Sequence, residues 1–216
     1  MSAVPMKPEF GPTLGRLLAP RWRSTSGAIR AAVIGAGVGV VLLAIGVALT
    51  LEKAHYSHGQ GFPFSFSYRD LYRTTPDPGG YVKLVRRAAG GKIAYSYAVD
   101  PLELPSYSGE ISGVLPIYAA GYVDQLQQRY SHFVLNGESR TRVDKIPGYE
   151  VLFTADVQGQ RMYGRYVLLT PEQPGVRRGV KIEMLASTTA SSQIKAPTEV
   201  ASSGPLVNPL KTFAFG

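Results

Sequence analysis

The stretch IPGYEVLFTADVQGQRMYGRYVLL, residues 146–169, holds the strongest strand signal in the chain. Tyr149, Val151, Phe153, Ala155 and Val157 alternate with Glu150, Leu152, Thr154 and Asp156, the period of two that a half-buried strand requires. Gln158-Gly159 then marks a turn, and Arg161–Leu169 returns. The pattern predicts a β-hairpin with long arms. The second arm is apolar on both faces, with Met162, Tyr166 and Leu168 on one and Tyr163, Val167 and Leu169 on the other. A strand covered on both sides reads this way.

Moving outward, Val180, Ile182 and Met184 predict a further strand. Residues 186–204 are small and polar, a loop or weak helix, and Pro209–Phe215 ends in two phenylalanines expected to pack. Upstream, Pro116–Phe133 predicts a helix: proline suits a first helical position, and Tyr118, Tyr122, Leu126, Tyr130 and Phe133 recur at three- and four-residue spacing. Such a tyrosine stripe reads as core packed on a sheet. Phe62–Tyr68, Tyr81–Arg87 and Ile93–Val99 read as strands, broken by the turn cluster 74–80 and followed by a proline-marked loop from Pro101 to about Leu115. Strands, one central helix, strands and a closing segment define an α+β class with a mostly antiparallel sheet packed with helices, over residues 62–216.

Ahead of this domain lies AAVIGAGVGVVLLAIGVALTL, residues 31–51, without a charge. At a rise of about 1.5 Å per residue this run matches a hydrocarbon core of roughly 30 Å. It predicts an N-terminal transmembrane helix and hence the lipid bilayer as a partner. The run exceeds the apolar core of a signal peptide, and Glu52-Lys53-Ala54-His55 does not resemble a small-residue cleavage site. Lys7, Arg16, Arg21, Arg23 and Arg30 precede it against the single acid Glu9, whereas charges nearly balance just after it. Basic residues stay on the cytoplasmic side. The expected topology is single-pass in the plasma membrane: residues 1–30 a disordered basic tail inside, 31–51 the span, 52–61 a juxtamembrane linker, and 62–216 an extracytoplasmic domain. The net charge of +8 divides evenly between the tail and the rest, and the outer share is spread along the chain. That spread argues against nucleic acid as a partner, which needs a basic patch. The chain has no cysteine, which excludes a lipidated cysteine, a disulfide framework and thiolate metal sites.

Ile146-Pro147-Gly148-Tyr149-Glu150-Val151-Leu152-Phe153, the hairpin after it and the closing Leu210–Phe215 resemble the PsbP/Mog1-type α/β/α sandwich, a group that LpqN-type actinobacterial surface proteins also resemble. Members often open with a strand ending in Tyr-Pro-x-x-Trp, and the matching positions here are Tyr68-Arg69-Asp70-Leu71-Tyr72. The resemblance spans about residues 62–215. It implies an accessory or binding domain rather than an enzyme; with the expected topology, that domain would stand at the bacterial cell envelope.

Chemistry-bearing motifs are sparse. His55 and His58 sit three apart, a spacing able to hold Zn²⁺ or Cu²⁺ on a helix. A tyrosine–histidine belt at the lipid headgroups explains them more simply, so neither metal nor cofactor is expected. Ser192-Gln193-Ile194-Lys195 matches S-x-x-K, and an envelope serine hydrolase using Ser192 and Lys195 is the alternative function, although S-D-N and K-T-G are missing. Transmembrane signalling through the tail is a further alternative. Gly35-x-x-x-Gly39 permits close helix approach and a helix-mediated dimer. All 13 tyrosines follow the apolar run. Tyrosine couples a flat apolar body to a polar tip, which suits an envelope protein or a small apolar ligand. The expected site is a groove beside the sheet with Tyr95, Tyr97, Tyr163 and Arg165.

Overall fold

The computed structural model describes residues 26–27, 31–32, 34–41, 54–173, 175–191 and 193–216. The chain divides into two compact units, Met1–Glu52 and Lys53–Gly216. In the first, residues 34–41 are helical and solvent-exposed. Gly35 and Gly39 lie on this helix, and a side chain at either would meet open space. Among the described residues no helix is long and apolar enough to cross a membrane. Residue 33 and residues 42–51 of the expected span lie outside the described residues, as does most of the expected tail.

The second unit contains two sheets. β1 (Ala54–His58), β2 (Phe64–Tyr68) and a closing β10 (Ala214–Phe215) form a three-stranded sheet in the order β1-β2-β10. Residues 54–58 of the expected linker thus belong to the folded domain, held by pairing of Ala54 with Tyr68 through His58 with Phe64. The main sheet is assembled from β3 (Tyr72–Thr74), β4 (Val82–Arg87), β5 (Ile93–Glu103), β6 (Ser131–Val143), β7 (Ile146–Val157), β8 (Gln160–Leu169) and β9 (Arg178–Ser187). Its order is β3-β4-β5-β9-β8-β7-β6, and every pairing is antiparallel. The hairpin expected at 149–169 is β7–β8, and β8 lies inside the sheet, as its two apolar faces require.

Each face of the main sheet carries its own core. On one side Leu84, Tyr97, Val167 and Ile182 pack with Phe64 and Phe66 of the small sheet and with Phe213. On the other, Val151, Phe153, Met162, Tyr166 and Leu168 pack beneath α1 (Ile111–Arg129) through Leu115, Ala119, Tyr122 and Leu126. A short α2 (Val207–Lys211) precedes β10. The fold is α+β with mostly antiparallel sheets, as the alternation predicts.

Three elements differ from expectation. α1 starts at Ile111, so Pro116 lies inside it rather than at its first position. It stops at Arg129, and Tyr130 turns the chain by donating its N–H to the Leu126 carbonyl. Tyr130 and Phe133 keep the helical spacing across this boundary because both stack on Phe153, at ring separations of 6.0 and 5.3 Å. Second, β6 occupies residues where no alternation is visible, because an outer strand is held by backbone hydrogen bonds and need not bury side chains. Third, β5 runs four residues past Val99, through Pro101. Proline is tolerated there because β4 begins only at Val82, opposite Val99, and leaves this part of β5 without that neighbour.

Candidate functional site

A cleft of about 590 Å³ opens where α1 ends over β4, β5 and β9, bordered by the β7–β8 turn. Glu183 on β9 is its innermost charge, 4% exposed, on the face opposite Ile182 and Met184. The Tyr130 hydroxyl donates to Glu183 Oε1 at 2.6 Å, and Arg129 Nη1 lies 3.6 Å from the same oxygen. Arg129 Nη2 also donates to Asp77 Oδ2 at 2.8 Å, while Lys83 Nζ donates to Asp77 Oδ1 at 2.8 Å. The turn at Tyr130 directs this network: by ending the helix it aims Arg129 and Tyr130 together at the sheet.

Burial pushes the Glu183 carboxyl above its ordinary range, opposed by Arg129 and the Tyr130 hydrogen bond. The Tyr130 phenol is raised by burial and by the neighbouring carboxylate. Asp77 is held below the usual carboxylate range, first by its hydrogen bond from Lys83. Next to this row, Asp100 on β5 faces Lys181 on β9. Burial raises the aspartate and lowers the lysine, whose ammonium rests 5.0 Å from the centre of the Tyr122 ring. At the far wall, Asp156 accepts from Arg161 Nη1 at 3.1 Å and lies 2.8 Å from His132 Nδ1. His132, the second residue of β6, is in a left-handed conformation, φ 49°. The three carboxylates that line the cleft are therefore each engaged by a cation of the protein itself. Such an arrangement holds shape and orients hydrogen-bonding groups.

The four residues expected to form a groove are brought together on the opposite face. Tyr95 and Tyr163 both flank Ala186, and Tyr97 and Arg165 both flank Met184, in two adjacent cross-strand rows. The C-terminal segment covers the rows. Tyr97 is fully buried with its hydroxyl 3.3 Å from the Pro209 carbonyl, and buried Tyr95 lies 2.8 Å from Ser191 Oγ. Arg165 donates to the Val200 carbonyl at 3.1 Å and forms an ion pair with Glu150. Only Tyr163 and Arg165 keep partial exposure.

His55 and His58 do not converge, because residues three apart on a strand point to opposite faces. His55 lies 3.4 Å from Ser67 Oγ, whereas His58 packs against the Phe64 and Tyr81 rings. Among the described residues no group of three or more His, Cys, Asp or Glu side chains is placed to hold a metal ion. Ser192 lies outside the described residues, and Lys195 is exposed with its N–H donated to Glu199 Oε2 at 2.6 Å. The cleft residues Arg129, Tyr130 and Glu183 escape a sequence reading. The one available signal is Glu183 itself, a lone carboxylate in the apolar run Ile182–Leu185.

Fold and cleft together define a mixed α+β domain of two sheets and one long helix, with a polar cleft at the helix end. Among solved structures the chain is similar to the Ran-binding protein Mog1p of Saccharomyces cerevisiae, at 10% identity and a TM-score of 0.48 over 76% of this chain and 95% of that one. It is also similar to cyanobacterial PsbP (CyanoP) of Synechocystis sp. PCC 6803, at 15% identity and 0.47 over 77% and 94%. A third is LpqN, involved in cell envelope biogenesis of Mycobacterium tuberculosis, at 10% and 0.46 over 76% and 91%. These are the groups the sequence resembles. No protein-family model and no curated protein matches the chain.

Proposed function

We propose that this chain is a single-pass membrane protein displaying a non-catalytic binding or accessory domain at the bacterial cell envelope. Residues 31–51 cross the bilayer, residues 1–30 stay inside, and the domain stands outside. The uncharged run and the excess of basic residues before it support this topology. The observation that carries the binding reading is the cleft: open, preformed, and lined by Asp77, Asp156 and Glu183 already matched to Lys83, Arg129, Arg161 and His132. A guest therefore meets oriented polar groups without an unbalanced charge to neutralise, which suits a polar surface of an envelope protein.

Topology is read by single cysteines in this cysteine-free chain. Ser202→Cys should react with a membrane-impermeant maleimide in intact cells and Ser2→Cys only after lysis; the reverse pattern removes the envelope assignment. Binding is read by a photocrosslinking residue at Gln160, on the cleft rim, against one at exposed Lys211. An adduct specific to Gln160 and lost in Arg129→Ala supports the reading, and equal labelling at both positions refutes it.

A further inference from the structure

β6 is the longest strand of the domain and an outer one, paired among the described residues to β7 alone. The opposite outer strand, β3, has only three residues. An outer strand offers a row of unpaired N–H and C=O groups, which proteins commonly interrupt with bulges. In β6 the irregularities fall at Ser131–Val134 and Leu135–Gly137. Beyond them residues 137–143 run in unbroken register against residues 152–146 of β7, and Glu138, Ser139 and Arg140 are exposed.

The hairpin turn fixes which peptide groups are free. Asp144-Lys145 is a two-residue loop closed by Val143 opposite Ile146. The closing pair of such a loop is hydrogen-bonded, and bonding then alternates along the strand. Thr141 and Ser139 therefore bond inward to β7, whereas Arg142, Arg140 and Glu138 direct their N–H and C=O groups outward. An antiparallel strand must match outward residues with outward residues. A two-fold axis at Glu138 or at Arg140 would meet this condition but set identical charges face to face. An axis at Ser139 sets Glu138 opposite Arg140 and Arg140 opposite Glu138. Directly opposed side chains share a sheet face, so both pairs are attractive.

We propose that two copies of this chain join along β6, antiparallel about a two-fold axis at Ser139, continuing one seven-stranded sheet into the other. The residues 138–140, Glu-Ser-Arg, are self-complementary in this register alone among those the free peptide groups allow.

The full chain in detergent, sized by analytical ultracentrifugation, tests this. Wild type should form a two-chain species. Glu138→Arg and Arg140→Glu should each weaken association by about tenfold, since each turns two attractive pairs into like-charge pairs. The double variant E138R/R140E should restore it. Ser139→Cys, on the axis, should form an intermolecular disulfide under mild oxidation, because non-hydrogen-bonded cross-strand positions bring Cα atoms to about 4.5 Å. Thr141→Cys, which would oppose Gly137, should not. A monomeric wild type, or association that ignores the charge swaps as a dimer held only by Gly35 and Gly39 would, overturns the proposal. So does Thr141→Cys crosslinking as readily as Ser139→Cys.

Discussion

Glu183 shows how one residue ties the helix to the sheet. Its carboxylate is largely withdrawn from water at the bottom of the cleft, so the Tyr130 hydroxyl and the Arg129 guanidinium stand in for most of its hydration. Removing the hydroxyl leaves the acceptor short of a donor, and Tyr130→Phe should cost about 1–3 kcal/mol, measured as a fall in the urea-denaturation free energy. The pH dependence has a definite sign. Burial raises the folded-state pKa of Glu183 above its ordinary value of 4.5, so the folded chain takes up this proton before the unfolded chain does. The group's contribution is full below the unfolded pKa and declines as pH rises through the folded one. Stability of wild type relative to Glu183→Gln should therefore increase as pH is lowered from 7 toward 4.5. Denaturation midpoints whose difference is the same at both ends of that range would contradict the assignment. Asp77 and Asp156 work in the opposite sense: their depressed carboxyls add stability that is lost only as pH falls below the ordinary aspartate range. Little of this was legible beforehand, since a carboxylate in an apolar strand announces a partner without saying which distant residue supplies it.

Among the elements, the β7–β8 hairpin was the most legible, and its interior shows why. Phe153 stands opposite Gly164, and a Cβ built on that glycine would lie 2.1 Å from the Phe153 ring. Phe153 has nowhere to go, because Tyr130 and Phe133 stack against it. Gly164→Ala should destabilise the domain by about 1–3 kcal/mol through overpacking, read as a lower urea midpoint. It should also disturb the cleft, since Tyr130 links the Phe153 stack to Glu183. The ends of α1 were less legible. Periodicity sees side chains that face one core, and Tyr130 and Phe133 face the same core as the helix does while belonging to a turn and a strand. β6 was invisible for the complementary reason: its backbone pairs without burying a side-chain stripe.

At the scale of the whole molecule, the C-terminal residues complete the first core. β10 pairs with β2, and buried Phe213 stacks on Phe64 and Phe66 at 5.5 and 6.4 Å. The same segment covers the tyrosine rows, where Tyr97 reaches the Pro209 carbonyl. Phe213→Ala should cost about 3–5 kcal/mol and, by loosening this cover, make Tyr95 and Tyr97 accessible to a tyrosine-directed reagent. An unchanged urea midpoint and continued protection would show that the closing segment is dispensable. Screening affects the two charged regions unequally. Salt should weaken a β6-mediated dimer, whose Glu138–Arg140 pairs are exposed, well before it weakens the partly buried network at Glu183.

Local pattern by itself determined the α+β class, the antiparallel hairpin, the internal place of β8 and the uncharged run at 31–51. Each depends on residues close in sequence whose apolar spacing follows the period of one element. Tertiary structure decided everything that depends on pairs distant in sequence. It carried Tyr95, Tyr97, Tyr163 and Arg165 to one face and set Ser191, Val200 and Pro209 against Tyr95, Arg165 and Tyr97. It also joined Asp77, Arg129 and Glu183 across a loop, a helix end and a strand. A buried charge stands only where another element supplies its counter-charge, and that meeting is set by sheet order and helix placement, neither of which the spacing of residues along the chain encodes.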